Sequence, residues 1–347
     1  MDLLPTLRVI DVSLNRIGEG LRLLEDIARL ILNDATLNQQ LKTVRHDLLE
    51  NEWSFNQRLI QARDSEGDIG INIEAGAKQK DLPNIVVANA KRVQESLRTL
   101  EELAKLPDTE LDEEKFKQAR FKIYTIEQSL LSKLLRRDKI KQISGLYVII
   151  DTQALERHNY LEVAKQAISG GARIIQLRDK LLSKKELLAI AEGLNNLCKE
   201  KKVLFLVNDY LDIALAVGAD GLHLGQEDLP LKVARKLLPL DKIIGCSTRT
   251  IEQATAAESD GADYLAVGSM YPTTSKEKAE IVGPDRLRQI KQIVTSPIVA
   301  IGGITADNAT EIIAAGADAV AAISAVLRTD DVEKAARKIV NSIEVQK

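Results

Sequence analysis

The sequence predicts an α/β fold, a (β/α)8 TIM barrel over residues 140–347, preceded over residues 1–139 by an all-helical domain with an internal repeat. Three observations carry this reading. From Gly145 onward, short β-rich runs alternate with helical runs eight times. Several of the helices stop at a Gly-Ala-Arg or Gly-Ala-Asp turn that launches the next strand. The residues before Gly145 show helical periodicity throughout and repeat themselves. At 347 residues the chain also exceeds an ordinary single domain of roughly 100–200 residues, so two domains are expected.

In the helical domain, residues 10–30 (IDVSLNRIGEGLRLLEDIARL) align without a gap on residues 86–106 (VVANAKRVQESLRTLEELAKL). Arg16, Glu19, Leu21, Arg22, Leu24 and Glu25 recur as Arg92, Glu95, Leu97, Arg98, Leu100 and Glu101. LKTVRHDL at 41–48 echoes FKQARFKI at 116–123, so the repeating unit is a helical hairpin and two hairpins make a bundle. Arg16, Glu19 and Arg22 alternate in charge along one side of a helix, as a surface ion-pair ladder does. Asn15, Gly18 and Gly20 become Lys91, Gln94 and Ser96 in the second copy, differences that chemistry on the first helix would explain. The stretch 63–70, RDSEGDIG, reads as a polar loop able to bind a ligand, but neither GxxxxGK[ST] nor GxGxxG occurs. His46 reads as a surface or packing residue.

The composition changes at 139–144, after the basic tract LLRRDK. Strands are read at 146–150, 173–177, 203–207, 221–224, 242–245, 263–267, 297–301 and 319–323, with helices between them. The turns are Gly171-Ala172-Arg173, Gly218-Ala219-Asp220, Gly261-Ala262-Asp263 and Gly316-Ala317-Asp318. Eight β-α units in roughly 200 residues suit a barrel near the lower end of its size range, with a doubly wound sheet as the alternative.

In such a barrel the C-terminal strand ends share one mouth, so the residues that follow each strand form an inventory of the site. They are Gln176, Arg178, Asp179 and Lys180; Asn208 and Asp209; Gln226 and Asp228; Ser247 and Thr248; Thr273, Thr274, Ser275 and Lys276; Gly302 and Gly303; and Ser324. Asp209 and Asp228, with the Gln226 amide nearby, offer hard oxygens for an octahedral Mg²⁺ that keeps waters and holds phosphate. Capping of the following helices is the other role open to them. Arg178, Lys180 and Lys276 complete what a pyrophosphate requires, and Gly302-Gly303 with Ser324 suit a second, metal-free phosphate. His223 and Cys246 read as packed barrel residues rather than nucleophiles. Without a nucleophile set, catalysis would rest on positioning and on charge stabilisation of a leaving group.

Hydrophobic residues at 45%, charged residues at 29% and a net charge of −3 describe a globular chain with no electrostatic reason to bind nucleic acid or anionic membrane. Cys198 and Cys246 have no metal-ligand spacing and suit a reducing compartment. The start shows no basic region followed by an apolar core, and no apolar run approaches 18 residues, so a cytoplasmic protein acting on small molecules is expected. A homo-oligomer is compatible with the sequence and is not fixed by it.

QLRDK at 176–180, VND at 207–209, HLGQED at 223–228, IGCST at 244–248, GSMYPTTSK at 268–276, AIGGI at 300–304 and AISA at 322–325 together resemble thiamine-phosphate synthase, in order over residues 145–340. The resemblance implies a transferase that joins hydroxymethylpyrimidine diphosphate to a thiazole phosphate and releases pyrophosphate, with one Mg²⁺ per active site. It assigns Gln176, Leu177, Arg178, Asp179, Lys180, Asn208, Ser247 and Lys276 to the pyrimidine diphosphate. Thr273, Thr274, Ser275, Gly303, Ile323 and Ser324 fall to the thiazole phosphate, and Asp209 and Asp228 to Mg²⁺. Arg178, Lys180 and Lys276 would be catalytic, stabilising the departing pyrophosphate in a dissociative reaction that needs no base. Arg249 stands where the family often has His, and Tyr271 where it often has Phe. A thiazole tautomerase-like isomerase and a non-catalytic thiamine-precursor sensor are the alternatives. The helical domain resembles the extension fused to this synthase in some bacteria, through the motifs at 15–26, 45–48 and 63–68. That resemblance implies a hydroxymethylpyrimidine-phosphate kinase, against a structural or oligomerising module.

Overall fold

The computed structural model describes residues 4–50, 53–63, 81–107, 109–155, 159–273 and 280–344. It divides into two compact units, residues 1–135 and 136–347.

The first unit contains α1 (Leu4–Asp26), a π-helical turn (Ile27–Ile31), α2 (Ala35–Leu49), α3 (Trp53–Gln61), α4 (Leu82–Leu103) and most of α5 (Glu113–Lys141). Asp34 and Asp81 start α2 and α4 by accepting the backbone N–H of Leu37 and Asn84, each at 2.9 Å. On α1, Leu7, Ile10, Leu14, Ile17, Leu21 and Leu24 form a buried stripe at helical spacing. They share a core with Val86, Ala90, Val93, Leu97 and Leu100 of α4. The sequence repeat is also a structural one. Arg45 Nε donates to Glu25 Oε1 at 2.5 Å, and Arg120 Nε donates to Glu101 Oε1 at 2.5 Å, so equivalent residues tie each long helix to its partner. The Arg120 hydrogen bond holds the buried Glu101 carboxyl below its ordinary range.

The two glycines that distinguish the first copy have a packing reason. A Cβ on Gly20 would lie 2.6 Å from Val93 Cγ2 of α4, and one on Gly18 would lie 3.1 Å from Leu49 Cδ1. Glycine here lets α1 approach its neighbours, so its loss from the second copy does not require a ligand site. Arg63, at the start of the polar stretch, forks onto the buried Asp11 at 2.7 and 2.9 Å. The rest of 63–70, including Asp68, lies outside the described residues.

The second unit alternates strand and helix, with two helices in succession at its end. Its elements are β1 (Gly145–Asp151), α6 (Tyr160–Ser169), β2 (Ala172–Arg178), α7 (Lys184–Lys201), β3 (Leu204–Asn208), α8 (Leu211–Val217), β4 (Gly221–Leu224) and α9 (Leu231–Leu237), then β5 (Ile243–Thr248), α10 (Ile251–Ser259), β6 (Tyr264–Gly268), α11 (Gly283–Ile293), β7 (Ile298–Ile301), α12 (Ala309–Ala314), β8 (Ala319–Ala322), α13 (Ser324–Leu327) and α14 (Val332–Glu344). The strands pair in parallel in chain order and β8 closes on β1, so the sheet is a closed (β/α)8 barrel rather than an open doubly wound one. Side chains alternate with period two. Tyr147, Ile149, Ile174, Leu206, Tyr264, Val299 and Ala321 fill the lumen, while Val148, Ile150, Ile175, Leu177, Val207, Leu265 and Val320 face the helices. Among the described residues no helix is long and apolar enough to cross a membrane.

The four Gly-Ala turns hold their glycines at φ of 103° (Gly171), 65° (Gly218), 99° (Gly261) and 107° (Gly316), a region that L side chains avoid. In three of the turns the following aspartate does more than start a strand. Asp220 accepts the backbone N–H of Phe205 at 3.1 Å, Asp263 that of Ile244 at 2.8 Å, and Asp318 that of Ile298 at 2.8 Å. Each satisfies the first free donor of the preceding strand, at the end of the barrel where sequence serves stability. Arg173 breaks the series and donates to Ser144 Oγ at 3.1 Å.

Candidate active site

At the opposite, C-terminal end of the strands opens a cavity of about 830 Å³, within the usual range for a small-molecule site. The period-two alternation decides which of the expected residues reach it. On β2, Gln176 and Arg178 point inward and line it, and Lys180 joins them from the loop. Leu177 falls on the other face, buried among the helices. Asp179 is also buried, and its carboxylate is occupied by Thr152 Oγ1 and by the N–H groups of Leu181 and Leu182 at 2.8 and 2.6 Å. Neither side chain lines the cavity. Asn208, Asp228, Ser247, Thr273, Gly303, Ile323 and Ser324 do line it. Thr274, Ser275 and Lys276 lie outside the described residues.

The β6 loop rests directly on the Gly302-Gly303 backbone. A Cβ on Gly303 would stand 2.6 Å from Pro272 O, and one on Gly302 would collide with Ser269 Oγ. Both glycines also have positive φ, 99° and 68°. Tyr271 tethers this loop by donating to Glu311 at 2.7 Å, a bond that Phe could not make. Burial, then Glu311, pushes the phenol up to about 12.

Charge gathers on the other side of the mouth. Arg178 is paired with Asp151, a buried carboxylate at the end of β1 that the inventory of post-strand residues missed. Lys180 Nζ lies 3.6 Å from Asp209, and Arg249 lines the same cavity. Asp209 is held at φ +63°, with its N–H donating to His223 O at 2.9 Å. This left-handed residue ends the alternation of β3. Burial, and then the neighbouring Asp228 carboxylate, raise Asp209 to about 6, against the pull of Lys180 and Arg178. Asp228 Oδ2 accepts the N–H of Gly225 at 2.6 Å. Gln226 also lines the cavity, and its Nε2 donates to Ser247 O at 2.6 Å. Among the described residues no group of three or more His, Cys, Asp or Glu forms a closed metal cage. Two crowded carboxylates of this kind fit a hard divalent ion that keeps its remaining positions for water and phosphate.

A line of polar side chains runs under the cavity. Gln176 Nε2 donates to the Tyr147 hydroxyl at 2.6 Å, and that hydroxyl lies 3.0 Å from the Tyr264 hydroxyl. Tyr264 reaches His223 Nδ1 at 2.9 Å, and His223 Nε2 reaches Ser247 Oγ at 2.9 Å. His223 is buried, and it also lines the cavity. The two tyrosines escaped the sequence reading because a tyrosine in an apolar strand looks like core. Cys246 faces the helix layer, where burial raises its thiol to about 11.

A barrel with facing carboxylates, an arginine and a lysine at one side of its mouth, and a glycine-backed loop at the other, fits a class: enzymes that transfer groups between phosphorylated small molecules. Residues 146–326 match the family model for thiamine monophosphate synthase, and residues 8–129 match that of the ThiD2 family. The thiamine-phosphate synthase of Thermosynechococcus vestitus is 36% identical over 97% of this chain and 94% of its own. That of Synechocystis sp. is 38% identical over 97% of this chain and 96% of its own. The thiamine-phosphate synthase of Methanospirillum hungatei is 52% identical over 195 residues, which are 56% of this chain and 95% of that one. The solved thiamine phosphate pyrophosphorylase from Pyrococcus furiosus superposes with a TM-score of 0.55 at 41% identity, covering 60% of this chain and 98% of its own. The chain belongs to the thiamine-phosphate synthase family and is an enzyme of thiamine phosphate synthesis.

Proposed function

We propose that the cavity holds hydroxymethylpyrimidine diphosphate against the Asp209–Asp228 side and thiazole phosphate against the glycine-backed side. The observation that carries this reading is the meeting of Asp228, Arg178 and Lys180 in the cavity wall, with Asp209 crowded against Asp228 and Lys180 behind them, while Gly303 and Ser324 line the same cavity. Gln176 and Asn208 hold the pyrimidine end, and Arg178, oriented by Asp151, takes diphosphate oxygens with Lys180 and Ser247. Lys276 is assigned to the same diphosphate. Thr273, Gly303, Ile323 and Ser324 hold the thiazole phosphate, to which Thr274 and Ser275 are also assigned. Mg²⁺ on Asp209 and Asp228 would neutralise diphosphate oxygens that the side-chain cations do not reach.

In the reaction, the bond between the pyrimidine methylene carbon and the diphosphate oxygen breaks, and its electron pair leaves with pyrophosphate. The thiazole nitrogen lone pair then forms the new carbon–nitrogen bond. No proton moves, so the polar residues serve to position and to stabilise charge, and holding two partners in register is worth about 7–11 kcal/mol in well-oriented systems. The isomerase alternative asks for a proton-transferring histidine where Arg249 stands, and Arg249 instead adds a cation to this cavity. The test is thiamine phosphate formation by Asp209→Ala and Asp228→Ala. Each should lose on the order of a hundredfold or more of the Mg²⁺-dependent rate while keeping its circular dichroism. Full Mg²⁺-dependent turnover in both variants would refute the metal assignment.

A further inference from the structure

The line Gln176–Tyr147–Tyr264–His223–Ser247 has a direction, because each hydroxyl carries a single proton. Gln176 Nε2 can only donate, so the Tyr147 hydroxyl accepts there and keeps its own proton available for Tyr264. Tyr264 then has one proton left to give, and His223 Nδ1 is next in line. The far end of the line agrees, since a phenol is the better donor and a neutral imidazole nitrogen the better acceptor. With Nδ1 accepting, the neutral ring carries its proton on Nε2 and donates it to Ser247 Oγ. The serine's own proton is thereby free to point into the cavity. Were the line reversed, Ser247 would spend that proton on His223 and present only lone pairs to the cavity.

We propose that Tyr264 is a positioning residue: it fixes His223 as the Nε2–H tautomer and so makes Ser247 a hydrogen-bond donor to the departing diphosphate. This rests on the assignment of Ser247 to the diphosphate substrate. The sign of the effect follows from the chemistry, because negative charge grows on the leaving group, where a donor stabilises and a lone pair repels. The geometry is built for the junction. A Cβ on Gly245 would fall inside the Tyr264 ring, so glycine there admits the phenol to the lumen. The ring stacks on His223 with centroids 5.7 Å apart at 29°. Burial raises both phenols above their ordinary range, so both remain protonated.

The full-length chain has three histidines, so ¹⁵N-histidine NMR can read the tautomer, with His223→Gln identifying the signals that belong to residue 223. The expected result is a protonated Nε2 and an acceptor-type Nδ1 in the wild type. Tyr264→Phe keeps the ring that fills the hollow over Gly245, and it should give mixed tautomers and a kcat lower by about tenfold, with KM for the pyrimidine diphosphate within about twofold. Ser247→Ala should lose at least as much, and adding Tyr264→Phe to it should cost little more. A protonated Nδ1 in the wild type, or a wild-type kcat in Tyr264→Phe, would overturn the proposal. The expected tautomer together with an undiminished kcat in Ser247→Ala would instead remove the substrate assignment on which it rests.

Discussion

Asp263 joins two guanidiniums and a strand N–H, so the stability of the barrel depends on it. Its side chain is 5% exposed, with Oδ1 accepting from Arg136 Nε at 2.8 Å and Oδ2 accepting from Arg235 and from Ile244 N at 2.8 Å. Asp263→Ala removes the carboxylate between two guanidiniums and leaves one buried strand N–H without its acceptor. Arg136 keeps a carbonyl bond to Leu240 at 3.2 Å, and Arg235 keeps those to Lys242 and Gly261 at 2.7 and 3.0 Å, but neutral carbonyls do not replace the lost carboxylate charge. Breaking a buried pair of this kind costs about 3–5 kcal/mol. For a unit of roughly 200 residues that corresponds to a fall in Tm of about 6–20 °C. The equivalent Asp318→Ala should cost only about 1 kcal/mol, because Asp318 and its partner Lys291 are 38% and 35% exposed. The assay is thermal unfolding followed by tyrosine near-UV circular dichroism, since Tyr124 is the only tyrosine outside the barrel unit and the single tryptophan belongs to the helical one. At 25 °C the rate of thiamine phosphate formation should be unchanged, because Asp263 sits at the end of the strands away from the cavity. Equal losses in the two variants, or a large loss of rate without a loss of Tm, would refute this account.

Three further expectations concern the mouth and the helical unit. In metal-free protein, Asp209 has a folded pKa above its unfolded one, so its ionisation costs stability above about pH 6 and the cost disappears as the pH falls toward the ordinary Asp value. Asp209→Asn should therefore unfold at a higher temperature than the parent at pH 7.5 in chelator, with a smaller gain near pH 4; no gain at pH 7.5 would count against the crowding of the two carboxylates. A chain beginning at residue 130 should keep synthase activity, whereas one beginning at residue 140 loses Arg136 and Lys139, which bond Asp263 and Asp241, and should melt lower. Equal melting of the two would show that these bonds are idle. Residues 1–135, given ATP, Mg²⁺ and hydroxymethylpyrimidine phosphate, should form the diphosphate, and Arg63→Ala, which breaks the fork onto Asp11, should stop it. No nucleotide binding by calorimetry would leave the unit as a scaffold.

Much of the barrel could be read from the sequence because its strands are apolar runs closed by glycine turns, and all eight occur where such runs stand. The largest difference is at β5, read as ending at Gly245 but continuing through Cys246 and Ser247 to Thr248. A glycine followed by small polar residues looks like a loop, and pairing with β4 at Cys246 and with β6 through Thr248 makes it strand. Within the site, the polar residues at and after the ends of the second to eighth strands were visible, while Asp151 at the end of β1 and the tyrosines inside β1 and β6 were not. Asp151, Tyr147 and Tyr264 depend on which face of a strand they occupy, and the apolar runs of a fully buried parallel sheet carry no alternation to reveal it. Leu177 and Asp179 fail to line the cavity for the same reason. In the helical unit, Gly18 and Gly20 resembled marks of a site because close helix approach and ligand approach both demand a missing Cβ.

The two ends of the barrel use aspartate in opposite ways, and the partners decide which. At the N-terminal end Asp263 meets two guanidiniums and a strand N–H, so its charge is spent on holding strands together. At the C-terminal end Asp209 meets another carboxylate, in a left-handed backbone conformation, with a single lysine at 3.6 Å. Such an arrangement lowers stability where it stands, which is the usual mark of a site kept for binding rather than for folding. It follows that substitutions at the two ends should separate cleanly: at Asp263 Tm should fall with rate preserved, and at Asp209 rate should be lost while metal-free Tm rises.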